Sequence, residues 1–303
     1  MKTDPQIKQQ SESSSSGVAP KKHKRLKYIA VLPSFVTLLN GACGFFAILF
    51  ASLDQELRWS FFSPRFSVSS FSLAAYMIIF AMLADMLDGR VARLTRTTSS
   101  FGGQLDSLAD TISFGVAPAF LILKLVESQL LSIRIEDLWL YSYLRKGLLF
   151  SAVLYVMCAV VRLARFNVEN EEDEAAHMNF TGLPTPAAAG VVISLVFLQQ
   201  RFFAPHENSI FNTGIFIFLF IVITLVSGLL MVSRIRYPHL PNQLLRGKKT
   251  LFSLLGLFAS VFLVIWNLQL AIVIGFCGFA FFGLVRWVFV KIFRKLKPHS
   301  NPK

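Results

Sequence analysis

The 303 residues are 54% hydrophobic, include 31 phenylalanines and carry a formal net charge of +13, at a mean hydropathy of +0.58. Apolar residues in such long runs exclude a single water-soluble domain and point to a polytopic membrane protein. Most Lys and Arg flank the apolar runs, as membrane topology requires, so the basic charge is not read as a nucleic-acid surface.

Residues 1–27 hold the run Ser13–Ser16 and the basic stretch Lys21-Lys22-His23-Lys24-Arg25. This composition predicts a disordered polar tail. Its long charged part, with no small-residue cleavage site, is unlike a signal peptide. The basic end is expected to lie on anionic lipid, each charge contributing ~1 kcal/mol near the surface.

Eight spans are expected at 28–52, 70–94, 102–126, 145–166, 183–200, 210–232, 250–267 and 270–292. Each is near the ~20 residues a bilayer needs, and the last two leave room only for a tight helical hairpin. The fold class is therefore all-α, a polytopic membrane bundle, with a hairpin and basic tail in 239–303. With the N-terminus inside, the inner segments gather the tail, Arg90, Arg93, Arg96, Arg162, Arg165 and the cluster from Arg234 to Lys249. The outer loops hold fewer, Arg58, Arg65, Arg134, Arg145, Lys146 and Arg201. The positive-inside rule then places both termini in the cytoplasm.

The first span opens with Pro33-Ser34-Phe35-Val36-Thr37-Leu38-Leu39-Asn40-Gly41. Pro33 suits the first turn of a helix. Asn40 inside a span suits either an interhelical hydrogen bond or a substrate contact.

The second and third spans contain Met82 to Asp110, with Asp85 and Asp88 three apart and Asp106 and Asp110 four apart. At about 100° per residue each pair falls within about 40–60° of arc on its own helix. Gly89 and Ala92 share the face of the first pair, while Gly102, Ala109, Ser113 and Ala117 lie on or next to that of the second. Small residues beside a carboxylate stripe let two backbones and a substrate come close. As ordinary surface acids these would be unremarked, but an ionised carboxylate in hydrocarbon costs at least ~2.5–3.5 kcal/mol. Four on converging faces also repel, so they call for cations. Carboxylates without His or Cys suit hard ions such as Mg²⁺ or Mn²⁺. Intramembrane acids mark ion paths as well, so a cation transporter shares this feature.

Further along, Val161-Arg162-Leu163-Ala164-Arg165-Phe166-Asn167 closes the fourth span. Its arginines either snorkel to headgroups or pair a substrate anion. Phe180-Thr181-Gly182-Leu183-Pro184-Thr185-Pro186-Ala187 enters the fifth, and its two prolines break regular helix. Irregular backbone at this depth is tolerated only where it is packed in protein or lines a wet cavity. Leu230 to Pro238, LMVSRIRYP, ends the sixth. Cys43, Cys158 and Cys277 are far apart in apolar segments and are expected to be buried thiols.

The spacing D-x2-D-G-x2-A-R-x8-G-x3-D-x3-D, from Asp85 to Asp110, resembles the signature of the CDP-alcohol phosphatidyltransferases. RLARFN, FTGLPTPAA and LMVSRIRYP, following in that order, resemble the integral-membrane phosphatidylserine synthases within that family. The likeness covers Pro33 to Pro238, with Pro33-Ser34 standing where Pro-Asn is often found. It implies a membrane domain over 28–238, with six of about eight transmembrane helices forming the catalytic core. It implies phosphatidyl transfer from CDP-diacylglycerol to L-serine, releasing CMP, by a homodimer with its site on the cytoplasmic side (of the cytoplasmic membrane, if bacterial). Asp85, Asp88, Asp106 and Asp110 are the implied ligands of two divalent ions, Mg²⁺ or Mn²⁺, with Asp110 also the general base. Thr37, Gly89, Ala92, Arg93, Gly102 and Gly103 are assigned to CDP-diacylglycerol. Arg165 first, then Arg162, Arg234 and Asn167, are assigned to serine. A sister enzyme using glycerol 3-phosphate, inositol or inositol phosphate shares the metal site, and RLARFN and GLPTP argue against it.

Overall fold

The computed structural model describes residues 23–53, 59–60, 67–95, 100–132, 138–172, 182–202, 210–235 and 267–296. The described part is helical throughout, apart from a two-residue antiparallel pair, Trp59–Ser60 (β1) with Ser67–Val68 (β2). The helices are α1 (His23–Ser52), α2 (Ser70–Thr95), α3 (Ser100–Asp110), α4 (Ala117–Ser132), α5 (Leu138–Glu172), α6 (Thr185–Phe202), α7 (Ile210–Val232) and α8 (Leu268–Leu296). A π-helical turn, Thr111–Val116, joins α3 to α4 in one continuous span.

Among the described residues, six helices are long and apolar enough to cross a membrane: α1, α2, the α3–α4 rod, α5, α7 and α8. Together with the all-helical bundle they make this an integral membrane protein. α6 occupies the expected fifth span but is not among the six, because its end, Gln199-Gln200-Arg201, lowers its hydropathy. It is instead the helix most enclosed by protein, with residues 187–197 all buried. The expected seventh span, 250–267, and so the tight hairpin, lie outside the described residues but for Asn267.

Two boundaries differ from expectation. α1 begins at His23, inside the stretch expected as a disordered tail, and it carries Pro33 in its interior rather than in its first turn. α5 likewise runs on to Glu172, into the acidic stretch after RLARFN.

α1 lies along α2, α5 along α7, and α8 along α6. The core is built from small and branched side chains such as Ala74, Ala75, Ile78, Leu121, Ile122, Leu125, Val192 and Ile193. Outward faces such as Phe218, Leu229, Phe281 and Phe282 remain exposed, the arrangement a lipid solvent permits. All three cysteines are free; Cys158 is buried, while Cys43 and Cys277 are half-buried.

The irregular backbone expected at GLPTP is packed in protein. Gly182 has φ +91°, a conformation that L side chains rarely adopt. Its N–H donates to the Ile235 carbonyl at 2.8 Å, and that of Leu183 donates to the Leu230 carbonyl at 3.0 Å. A Cβ on Gly182 would collide with the Met231 carbonyl oxygen. The two motifs FTGLPTPAA and LMVSRIRYP are thus halves of one structural unit, each satisfying the other's backbone.

A carboxylate cluster between three helices as the candidate functional site

Asp85 comes from the second half of α2, and Asp106 and Asp110 from consecutive turns of α3. One carboxylate oxygen from each lies within 4.8 Å of the others. Asp110 is buried, while Asp85 and Asp106 are half-buried. Asp88, expected as an equal member, does not join that group of three: it is buried one turn along α2 and accepts a hydrogen bond from Thr37 Oγ1 of α1. Asp88 stays in electrostatic range of two of them, Asp85 and Asp106.

α1 contributes to the site through Asn40 and Thr37. Asn40 is wholly buried and its Nδ2 donates to Asp110 Oδ1 at 2.8 Å. Its Oδ1 is buried with no hydrogen-bond partner among the described residues. Of the two roles expected for Asn40, the interhelical bond is present, and its partner is a site carboxylate. The approach of α1 to α3 depends on small residues. A Cβ on Gly44 would sit 2.5 Å from Ser113 Oγ and 2.7 Å from Ser113 Cα, and one on Gly41 would touch Ala109 Cβ at 3.5 Å. Ala109 and Ser113, read from the sequence as a small-residue stripe, are the surface α1 packs on.

The π turn starts immediately after Asp110. Such turns are rare, and they leave backbone carbonyls free of the regular ladder. Tyr155 of α5, completely buried, donates its hydroxyl to the Phe114 carbonyl at 3.0 Å. Ser113 Oγ donates to the Asn40 carbonyl at 2.8 Å, so the turn that follows Asp110 is tied to both neighbouring helices. Ser113 was legible in the sequence as part of the small-residue stripe beside Asp106 and Asp110, whereas nothing there marked Tyr155 or Gly44 as part of this arrangement.

From α5, Arg162 is half-buried, and its Nη1 lies 3.5 Å from Thr185 Oγ1 at the start of α6. Its positive charge acts on Asp110. Asn167 Oδ1 accepts from Ser107 Oγ at 2.9 Å, next to Asp106. Arg165 and Arg234 are exposed. Gly89 and Gly103 face open space, with no atom within 4 Å of a Cβ built on either, and Gly102 is half-buried. The side chains of Ala92 and Arg93 lie outside the described residues.

The donor set fits a hard divalent cation. Mg–O bonds of about 2.0–2.1 Å place the oxygens around one octahedral ion about 3–4 Å apart. Three acidic oxygens within 4.8 Å need only a small contraction to reach that separation. There is no His or Cys in the group to favour a softer metal, and three converging carboxylates otherwise repel.

A family model described as CDP-alcohol phosphatidyltransferase matches residues 30–232, from α1 to the end of α7. The chain belongs to the CDP-alcohol phosphatidyltransferase family. Members of that family generally depend on divalent metal, consistent with the acidic cluster. Among relatives, the chain is 35% identical over 262 residues to the CDP-diacylglycerol–serine O-phosphatidyltransferase of Helicobacter pylori (strain ATCC 700392 / 26695), covering 86% of this chain and 93% of that one. It is 34% identical over 219 residues to the protein of the same name from Methanocaldococcus jannaschii, covering 72% and 79%. It is 32% identical over 222 residues to the archaetidylserine synthase of Methanothermobacter thermautotrophicus, covering 73% and 75%. The matched span of the phosphatidyltransferase family encloses every site residue described above except Arg234.

Proposed function

We propose that the protein transfers the phosphatidyl group of CDP-diacylglycerol to the hydroxyl of L-serine, giving phosphatidylserine and CMP. The observation that carries this is the three-carboxylate cluster of Asp85, Asp106 and Asp110 inside a membrane bundle. The names of the relatives supply serine as the acceptor.

Asp85, Asp88, Asp106 and Asp110 would hold two divalent ions, Mg²⁺ or Mn²⁺, which would supply positive charge to the pyrophosphate. Asp110 takes the proton of the serine hydroxyl as that oxygen forms its bond to the phosphorus bearing diacylglycerol. The bond from that phosphorus to the bridging oxygen breaks, and its electron pair leaves with CMP. Asn40 fixes one oxygen of Asp110 and so leaves the other to face the reactants. Thr37 holds Asp88 in the same way. Gly89, Ala92, Gly102 and Gly103 keep the approach to the nucleotide clear, and Arg93 meets a phosphate. Arg162 is the first choice for the serine carboxylate, because it is half-buried and its charge acts on Asp110, with Arg165 and Arg234, both exposed, after it. Asn167 steadies the acceptor's side of α3 through Ser107.

The site faces the cytoplasm with both termini on that side, as the Lys and Arg asymmetry of the loops supports. The homodimer rests on the family resemblance. The membrane domain spans 28–238, with a basic tail before it and a helical segment after it.

Acceptor choice tests the reading. Purified protein supplied with CDP-diacylglycerol should release CMP with serine and not with glycerol 3-phosphate or inositol. Release with either of the others and not with serine would make it a sister enzyme, and no release with any acceptor would favour a transporter.

A further inference from the structure

A second cavity, of about 430 Å³, opens between α4 and α5 at the end of the bundle away from the carboxylates. Its walls are apolar, with Phe120 and Leu123 from α4 and Leu148 and Leu149 from α5. Its rim is basic. Lys124 is held by Glu127 at 3.0 Å, whereas Arg145 and Lys146 are exposed and have no acidic partner among the described residues.

Position along the membrane gives this combination meaning. Lys124 follows Asp110 by fourteen residues of one continuous helical span, about 21 Å at a rise of 1.5 Å per residue. The hydrocarbon core is about 30 Å thick. If the carboxylates lie near one membrane boundary, the cavity lies near the other, at the level where headgroups begin. Two cations with no acidic partner among the described residues, at a headgroup level above apolar walls that face the acyl region, match an amphiphile with an anionic head. A free phosphate would leave the apolar walls uncovered. A zwitterionic choline lipid would bring its own cation to a rim that already carries two.

We propose that this cavity binds an anionic phospholipid of the leaflet opposite the reaction site, its phosphate on Arg145 and Lys146 and one acyl chain along Phe120, Leu123 and Leu149. The lipid bridges α4 to α5 and takes no part in the phosphatidyl transfer. Its binding therefore stands or falls independently of the proposed activity.

The test uses the full chain in phosphatidylcholine nanodiscs carrying a trace of photoactivatable phosphatidylglycerol, with crosslinks mapped by peptide mass spectrometry. Crosslinks are expected within 120–130 and 141–149, displaced by phosphatidylglycerol but not by added phosphatidylcholine or by glycerol phosphate. The double variant R145Q/K146Q should label about 30-fold less, the equivalent of about 2 kcal/mol for two basic residues at a lipid surface, with CMP release unchanged. Wild-type competition stands even if that variant fails to fold. Several results would overturn the proposal: label confined to the Asp85–Asp110 region, equal displacement by phosphatidylcholine, displacement by glycerol phosphate, full labelling of a folded double variant, or protein–protein crosslinks in place of lipid.

Discussion

Asn40→Ala is the perturbation that probes the site most selectively. Asn40 stands on α1, seventy residues from Asp110 in sequence, and its amide donates to Asp110 Oδ1 at 2.8 Å in a buried environment. Truncation to Ala removes that donor and nothing else that anchors α1. Ser113 Oγ bonds the backbone carbonyl of Asn40, which survives, and Thr37 keeps Asp88. A hydrogen bond to a charged group contributes about 1.5–3 kcal/mol. If the bond serves mainly to orient Asp110 for proton transfer, its loss should lower kcat by about 10- to 100-fold, with the KM for CDP-diacylglycerol little changed. Steady-state CMP release, with each substrate varied against saturating amounts of the other, separates the two constants. Asn40→Asp should be worse than Asn40→Ala, because it sets a second carboxylate against Asp110. A folded Asn40→Ala protein with wild-type kcat, or an Asn40→Asp protein as active as wild type, would refute the positioning role.

Other outcomes follow from the same geometry. Asp106→Asn should weaken CDP-diacylglycerol binding and turnover together, whereas Asp110→Asn should keep more of the binding while losing about 10²–10⁴-fold in turnover, the range of general-base catalysis; titration calorimetry beside CMP release checks this, and equal loss of binding in both would make Asp110 mainly a ligand. Arg162→Ala should raise the KM for serine more than Arg165→Ala does, and more than either raises that for CDP-diacylglycerol; the reverse order would move the acceptor's carboxylate to the exposed arginine. Gly182→Ala places a Cβ against the Met231 carbonyl at a positive φ and should destabilise the protein by about 1–3 kcal/mol, read as a lower Tm in detergent; an unchanged Tm would mean that the α6–α7 junction is not held by this turn.

The carboxylates were legible because charge in an apolar run is costly and because helical spacing puts each pair on one face. Their assembly was less so. Spacing treats Asp85 and Asp88 as equals, yet only Asp85 meets Asp106 and Asp110 within ligand distance. Which of the two turns in is decided by how α1 seats on α2, and Thr37, fifty-one residues away, takes Asp88. The π turn was invisible for a related reason: periodicity arguments assume 3.6 residues per turn, and the extra residue after Asp110 is held by Tyr155 from a distant helix. Arg162 and Arg165, three apart, share a helix side in the sequence, and only packing shows Arg162 half-buried with its charge acting on Asp110, and Arg165 exposed. The GLPTP segment was the reverse case. Its prolines require broken helix, and backbone polar groups in a membrane must be satisfied, so packing in protein was one of the two outcomes open to it, and the structure shows it against the end of α7.

The most direct measurement is product formation from labelled L-serine and CDP-diacylglycerol by the purified protein, with Asp85→Asn and a chelator-treated sample run beside it. Labelled phosphatidylserine should appear with wild type in equal amount to CMP, disappear on chelation, return on adding Mg²⁺ or Mn²⁺, and be absent with Asp85→Asn. Labelled lipid made at an undiminished rate after chelation or by the folded Asp85→Asn protein would contradict a carboxylate–metal centre as the seat of the reaction.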